Sequence, residues 1–170
     1  MKHTNYFFGV ETAEELKKMY KKLARELHPD NGGNEEEFKE MQSQFQGLFN
    51  TLKNVHINKK GEKYDTTGTD RATTETAQEF MDIIEKLMFI DDLNVELCGS
   101  WIWVSGNTKE YKDLLKELGF KYSANKAMWY YQRDGKRKWH KKAWTIDEIR
   151  NTYGSKLYKD ERDKLEERAV

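Results

Sequence analysis

A single cysteine, Cys98, leaves this chain without a disulfide framework or a CxxC zinc ribbon, and suits a reducing cytosol. Proline is as scarce, with Pro29 alone. Net charge is zero, because 30 basic side chains balance 30 acidic ones, so the chain as a whole is not a polyanion binder. The opening "MKHTNYFFGV" is too short and too polar for a signal or membrane span, so the expectation is a cytoplasmic protein with no membrane partner. Signals for catalysis are also sparse. His3, His28, His56 and His140 lack any HExxH-type spacing, and no GxxxxGKS/T phosphate loop occurs. Cys98 lies in an apolar strand pattern without a histidine nearby, which favours a buried structural thiol. Asp91 and Asp92 suit a solvated turn better than a cation site. The expectation is a protein that is not an enzyme and carries no metal or cofactor, with any catalysis belonging to a partner.

What is present is unevenly spread. The length of 170 residues suits one or two small domains. Residues 1–56 carry 8 basic and 9 acidic side chains, 57–98 carry 5 and 10, 99–144 carry 11 and 4, and 145–170 carry 6 and 7. All five tryptophans, at 101, 103, 129, 139 and 144, fall in the basic block. The Gly- and Thr-rich stretch "NKKGEKYDTTGTDRATTET" has no apolar period and predicts a linker. This gives two modules, 1–56 and 76–170, joined by a polar linker over 57–75.

The first module predicts a helical hairpin. Thr12 with Glu15 forms a capping box, and Leu16, Met19, Tyr20, Leu23 and Leu27 recur at helical spacing. Lys17, Lys18, Lys21, Lys22 and Arg25 are assigned to the opposite face. Pro29 ends the helix, since a residue before proline is driven from the α region. Gly32 and Gly33 make the turn, and Asn34 caps a second helix whose first turn holds Glu35, Glu36 and Glu37. Phe38, Met41, Phe45, Leu48, Phe49 and Leu52 supply its apolar stripe.

With its "YFFGV" lead-in, the basic helix "ELKKMYKKLARELHPD" and an acidic-start helix after it, this module resembles a J domain over Tyr6 to about Leu52. J domains are the units by which DnaJ-type co-chaperones engage DnaK-class chaperones. The resemblance implies an all-α N-terminal fold in which His28, Pro29 and Asp30, with Lys21, Lys22 and Arg25, contact the chaperone and stimulate its ATP hydrolysis. The lead-in is about two residues shorter than the family pattern, which leaves the family's first helix a single turn or absent. No Gly/Phe-rich tract, zinc ribbon or client-binding β-domain comes after it, so the resemblance implies an adaptor rather than a general chaperone.

The second module predicts a small α+β domain. Thr76 with Glu79 caps a helix with Ala77, Phe80, Met81, Ile84, Leu87 and Met88 on one stripe. "NVELCGSWIWVSG" alternates as a strand, with Trp101 and Trp103 on one face and Ile102 and Val104 on the other. A helix opens at Asn107 and stops at Gly119, and "FKYSANKAMWYYQR" predicts two strands around a turn at 124–126. "TIDEIRNTYG" and "SKLYKDERDKLEERAV" predict helices, giving the order β-α-β-β-α.

"CGSWIWVSGNTKEYKDLLKELGFKYS" followed by "KAMWYY" resembles the C-terminal region of short J-domain proteins of bacteriophages and mobile elements. That implies a bacterial host cytosol and a module that selects the target of a recruited chaperone. Two other functions fit this block. Arg133, Lys136, Arg137, Lys138, Lys141 and Lys142 interleave with aromatics such as Trp139, a pattern suited to single-stranded nucleic acid. A solvated basic loop beside a core of Trp101, Trp103, Trp129 and Tyr131 is the plainer alternative. The third function is an interaction protein that blocks a host factor or defence system.

Overall fold

A computed structural model describes residues 4–58, 60–133 and 144–153 and shows a mixed α+β chain. It divides into two units: one runs to Lys86 and takes back Arg133, and the other begins at Leu87, holds residues to Gln132, and includes the last described helix.

In the first unit, helix α1 spans Ala13–Leu27 and α2 spans Glu35–Leu52, separated by one 3-10 turn at Pro29–Asn31. The Thr12 hydroxyl accepts the Glu15 N–H, and the Glu15 carboxylate accepts the Glu11 N–H at 2.9 Å, closing the N-terminus of α1. The helices pack in opposite directions, with His28 against Phe38, Tyr20 against Phe45, and Lys17 near Phe49. Residues 6–9 form a turn rather than a helix, in which Phe7 is buried against Phe45 while Phe8 stays 84% exposed. Helix α3, Ala77–Leu87, lays Phe80 on the same cluster, 5.6 Å from Phe45 and 5.9 Å from Tyr20 between ring centres.

The polar stretch read as a linker is folded onto this unit. β1 (Val55–Ile57) and β2 (Lys63–Asp65) form an antiparallel hairpin. His56 Nδ1 lies 2.7 Å from Glu14 Oε1, and Lys63 pairs with Glu11, tying the hairpin to the start of α1. The buried Asn54 then gathers the segment that leads to α3. Its carbonyl accepts the Thr66 N–H at 2.9 Å, and its side-chain oxygen accepts the Thr73 N–H at 2.8 Å. Composition gave no sign of this, because the stretch is held through backbone and hydroxyl hydrogen bonds rather than through an apolar stripe. The structural division accordingly falls at Lys86–Leu87 rather than near residue 76.

In the second unit, β3 (Leu93–Cys98), β4 (Trp101–Gly106), β5 (Lys121–Ser123) and β6 (Met128–Tyr131) form an antiparallel sheet in the order β3-β4-β6-β5. The single strand expected over 94–106 is a hairpin, broken by Gly99 and Ser100, with Gly99 in the left-handed region at φ +60°. The order is therefore β-β-α-β-β-α. Helix α4 covers only Lys112–Glu117, later than the Asn107 start expected, because residues 107–111 form turns. Helix α5 is Ile146–Tyr153, and the expected helix over 155–170 lies outside the described residues. Register places Val95, Leu97, Ile102, Val104, Trp129 and Tyr131 on one sheet face, where Phe120 approaches Tyr131. Cys98, Trp103 and Met128 lie on the other, packed with Trp101, Tyr130, Ile146 and Ile149.

Candidate functional site

The clearest constellation is the loop between α1 and α2. Pro29 holds His28 in an extended conformation at ψ 134°, so α1 stops at Leu27. The imidazole turns back into the loop, and its Nδ1 accepts the Asp30 N–H at 3.1 Å. Asn31 Nδ2 donates to the Arg25 carbonyl at 2.8 Å, which satisfies an orphan acceptor at the end of α1. Gly32 sits at φ +84° and donates its N–H to the Pro29 carbonyl at 2.9 Å. Asn34 Oδ1 then accepts the N–H groups of Glu36 and Glu37, starting α2.

This architecture separates the three motif residues. The His28 side chain is only 15% exposed, edge-on to Phe38 with ring centres 5.0 Å apart. The Asp30 carboxylate is 77% exposed, and Pro29 is exposed beside it. His28 thus orders the loop, while Pro29 and Asp30 form its outer surface. Along α1, Lys18 and Lys22 are exposed and Lys21 and Arg25 are half-buried. Their spacing of three and four places all four on one helix face leading to the loop.

Lys17 does not belong to that face. It is buried at 2% exposure, paired with Glu75, with its Nζ 5.0 Å from the Phe80 ring centre. The reason is spacing. Ala13, Leu16, Lys17, Tyr20 and Ala24 form the buried stripe of α1, and polarity alone had assigned Lys17 elsewhere. The same rotation leaves Met19, Leu23 and Leu27 half-buried.

Of the basic aromatic residues singled out in the second module, Lys136, Arg137, Lys138, Trp139, Lys141 and Lys142 lie outside the described residues. Arg133 is described, and it belongs to the first unit. Its carbonyl accepts the Thr74 N–H at 3.0 Å, and its guanidinium lies 3.7 Å from Glu79. Trp103, Trp129 and Tyr131 are buried, and Trp101 is half-buried with its ring stacked 5.7 Å from Trp103 and 5.5 Å from Tyr130.

Two acidic residues had no sequence signal. Glu75 is the buried counter-ion of Lys17, and Glu85 on α3 lies 3.9 Å from His28 Nε2. Both are distant in sequence from their partners, beyond the reach of helical periodicity. Among the described residues no group of three or more His, Cys, Asp or Glu side chains could hold a metal, and no helix is long and apolar enough to cross a membrane. No protein-family model matches the chain, and neither a curated protein nor a solved structure shows significant similarity to it.

Proposed function

We propose that this protein is a J-domain adaptor that docks a DnaK-class chaperone through the His28–Asp30 loop and the basic face of α1. It stimulates the chaperone's ATPase, and the C-terminal unit selects the target. The observation that carries the reading is the exposed Asp30 carboxylate on a turn fixed by Pro29 and by the bond from its own N–H to His28. A carboxylate on a pre-ordered loop suits a charge-assisted bond to a partner arginine, with little ordering entropy lost on docking. Lys18 and Lys22 would steer encounter with an acidic surface, which makes association faster at low salt.

The test is ATP hydrolysis by a bacterial DnaK with and without the full chain. Asp30→Asn should fold as the wild type does, because the carboxylate is 77% exposed and lies beyond hydrogen-bond distance of His28, while the backbone N–H that bonds His28 is kept. Its stimulation should fall by about 10- to 100-fold, the equivalent of a charge-assisted hydrogen bond. A wild-type chain that leaves hydrolysis unchanged, or an Asp30→Asn chain as active as wild type, overturns the reading.

A further inference from the structure

His28 is held from three sides. Its own loop supplies the Asp30 N–H on Nδ1 and the Asp30 carboxylate 3.7 Å from that same atom, α2 supplies the edge of Phe38, and α3 supplies Glu85. A ring nitrogen that accepts an N–H carries no proton, so in the neutral imidazole the proton sits on Nε2. Nε2 is the atom that faces Glu85 Oε1, at 3.9 Å. That separation is too long for a direct hydrogen bond but close enough for the carboxylate to favour the Nε2–H form electrostatically. The two ends of the ring are therefore coupled: Glu85, 37% exposed, stabilises the tautomer whose Nδ1 accepts the Asp30 N–H, against the opposing pull of the Asp30 carboxylate, which at 77% exposure is the more strongly screened by solvent.

We propose that Glu85 is a positioning residue for the loop, seating His28 and, through the Asp30 N–H, fixing the conformation in which Asp30 is presented. Its consequence for the chaperone rests on the adaptor reading above; its effect on the loop does not. Glu85 lies on α3, outside the α1–α2 pair, one residue before the end of the first unit at Lys86. The competence of the loop then depends on α3 being in place, and not on the two flanking helices alone.

The experiment uses the full chain labelled with nitrogen-15. In the wild type the His28 ring should give the Nε2–H signature, and the Asp30 and Asn31 amides should be protected from exchange. Glu85 is partly exposed on a helix, where alanine is a favourable replacement, so Glu85→Ala should keep its fold. Its His28 signals should shift towards mixed tautomers, and protection at Asp30 should drop by about two- to fivefold. Glu85→Gln, which keeps the shape of the side chain but removes the charge that favours the Nε2–H form, should shift both readouts as Glu85→Ala does, and chaperone stimulation should follow the same order. An unchanged His28 signature and unchanged protection in Glu85→Ala overturn the inference, whatever the chaperone assay gives. A wild type inert towards the chaperone overturns the adaptor reading instead, and the ring signature still decides the seat of His28.

Discussion

Lys17 on α1 and Glu75, 58 residues later, form an ion pair that is almost sealed from solvent, at 2% and 3% side-chain exposure. The ammonium also lies near the rings of Phe49 and Phe80, so one cation touches α2, α3 and the extended segment before α3. Removing one partner strands a buried charge. Glu75→Ala should therefore cost about 3–5 kcal/mol in urea unfolding, whereas Lys17→Met with Glu75→Leu should come out near neutral. A Glu75→Ala loss below about 0.5 kcal/mol, the scale of a surface substitution, would mean that the pair is solvated.

The orientation of α1 sets a second expectation. Leu16 is fully buried and Leu23 only half so. Leu16→Ala should cost about 2–5 kcal/mol and Leu23→Ala under about 1.5 kcal/mol, measured side by side by chemical denaturation. Reversed magnitudes would put the helix the other way round.

Gly33 tests the geometry of the loop. A Cβ on Gly33 would collide with the Leu27 carbonyl group, although its φ lies outside the left-handed region. Gly32 has open space around it but a left-handed φ of +84°. Gly32→Ala should cost about 1–2 kcal/mol from backbone strain alone, and Gly33→Ala more, because the end of α1 must move. Equal stability of Gly33→Ala and wild type would show that the close approach to Leu27 is not made in solution.

Tyr20 makes stability fall at alkaline pH. Burial raises its phenol above the ordinary value of 10.0, and the carboxylates of Glu85 and Asp82 add to the effect. Above about pH 10 the unfolded chain releases this proton while the folded chain retains it, so the unfolded state binds fewer protons and stability declines as pH rises. The contribution is complete below the unfolded value and is lost above it. Between about pH 9 and 11, Tyr20→Phe should lose less stability than wild type. Parallel pH profiles would remove Tyr20 as the cause.

In the second unit, Arg150 on α5 grips the buried Glu96 of β3 with two parallel bonds of 2.8 Å. The pairing holds the guanidinium well above its ordinary range, first through the hydrogen bonds to Glu96. Arg150→Ala should destabilise the unit by about 3 kcal/mol, and Arg150→Lys should recover only part, since an ammonium cannot match both oxygens. Full recovery by lysine would mean that charge alone matters.

The local elements were legible because their causes are local. Thr12 with Glu15 and Thr76 with Glu79 start helices through side chains three residues apart, and both pairs form the predicted bonds. Pro29 stops α1 at Leu27 through its own ring, and Gly119, at φ +87°, comes just after the end of α4. Alternation placed Ile102 and Val104 on the opposite sheet face from Trp101 and Trp103, as register shows. The exposed Asp30 could be anticipated for the same reason, since a turn of Pro, Asp, Asn and Gly has few ways to bury a short acidic side chain.

Tertiary structure alone decided which surfaces these elements share. Lys17 sits at a buried position by helical geometry, but only the arrival of Glu75 makes that position tolerable for a charge. The stretch over 57–75 looked unstructured because it lacks apolar periodicity, yet Asn54, Thr66 and Thr73 pin it through hydrogen bonds whose partners no spacing rule links. α3 was legible as a helix, but not as part of the first unit, because an amphipathic stripe states what it buries and not against what. The sequence determined where α1, α2 and α3 begin, where α1 stops and which loop presents Asp30, all through contacts within a few residues, whereas the uncapped start of α4 was not legible. Long-range pairing decided that His28 faces Glu85, that Lys17 is core, and that the hairpin of β1 and β2 closes on α1. Those contacts join residues far apart in the chain, and only packing of the folded chain can bring them together.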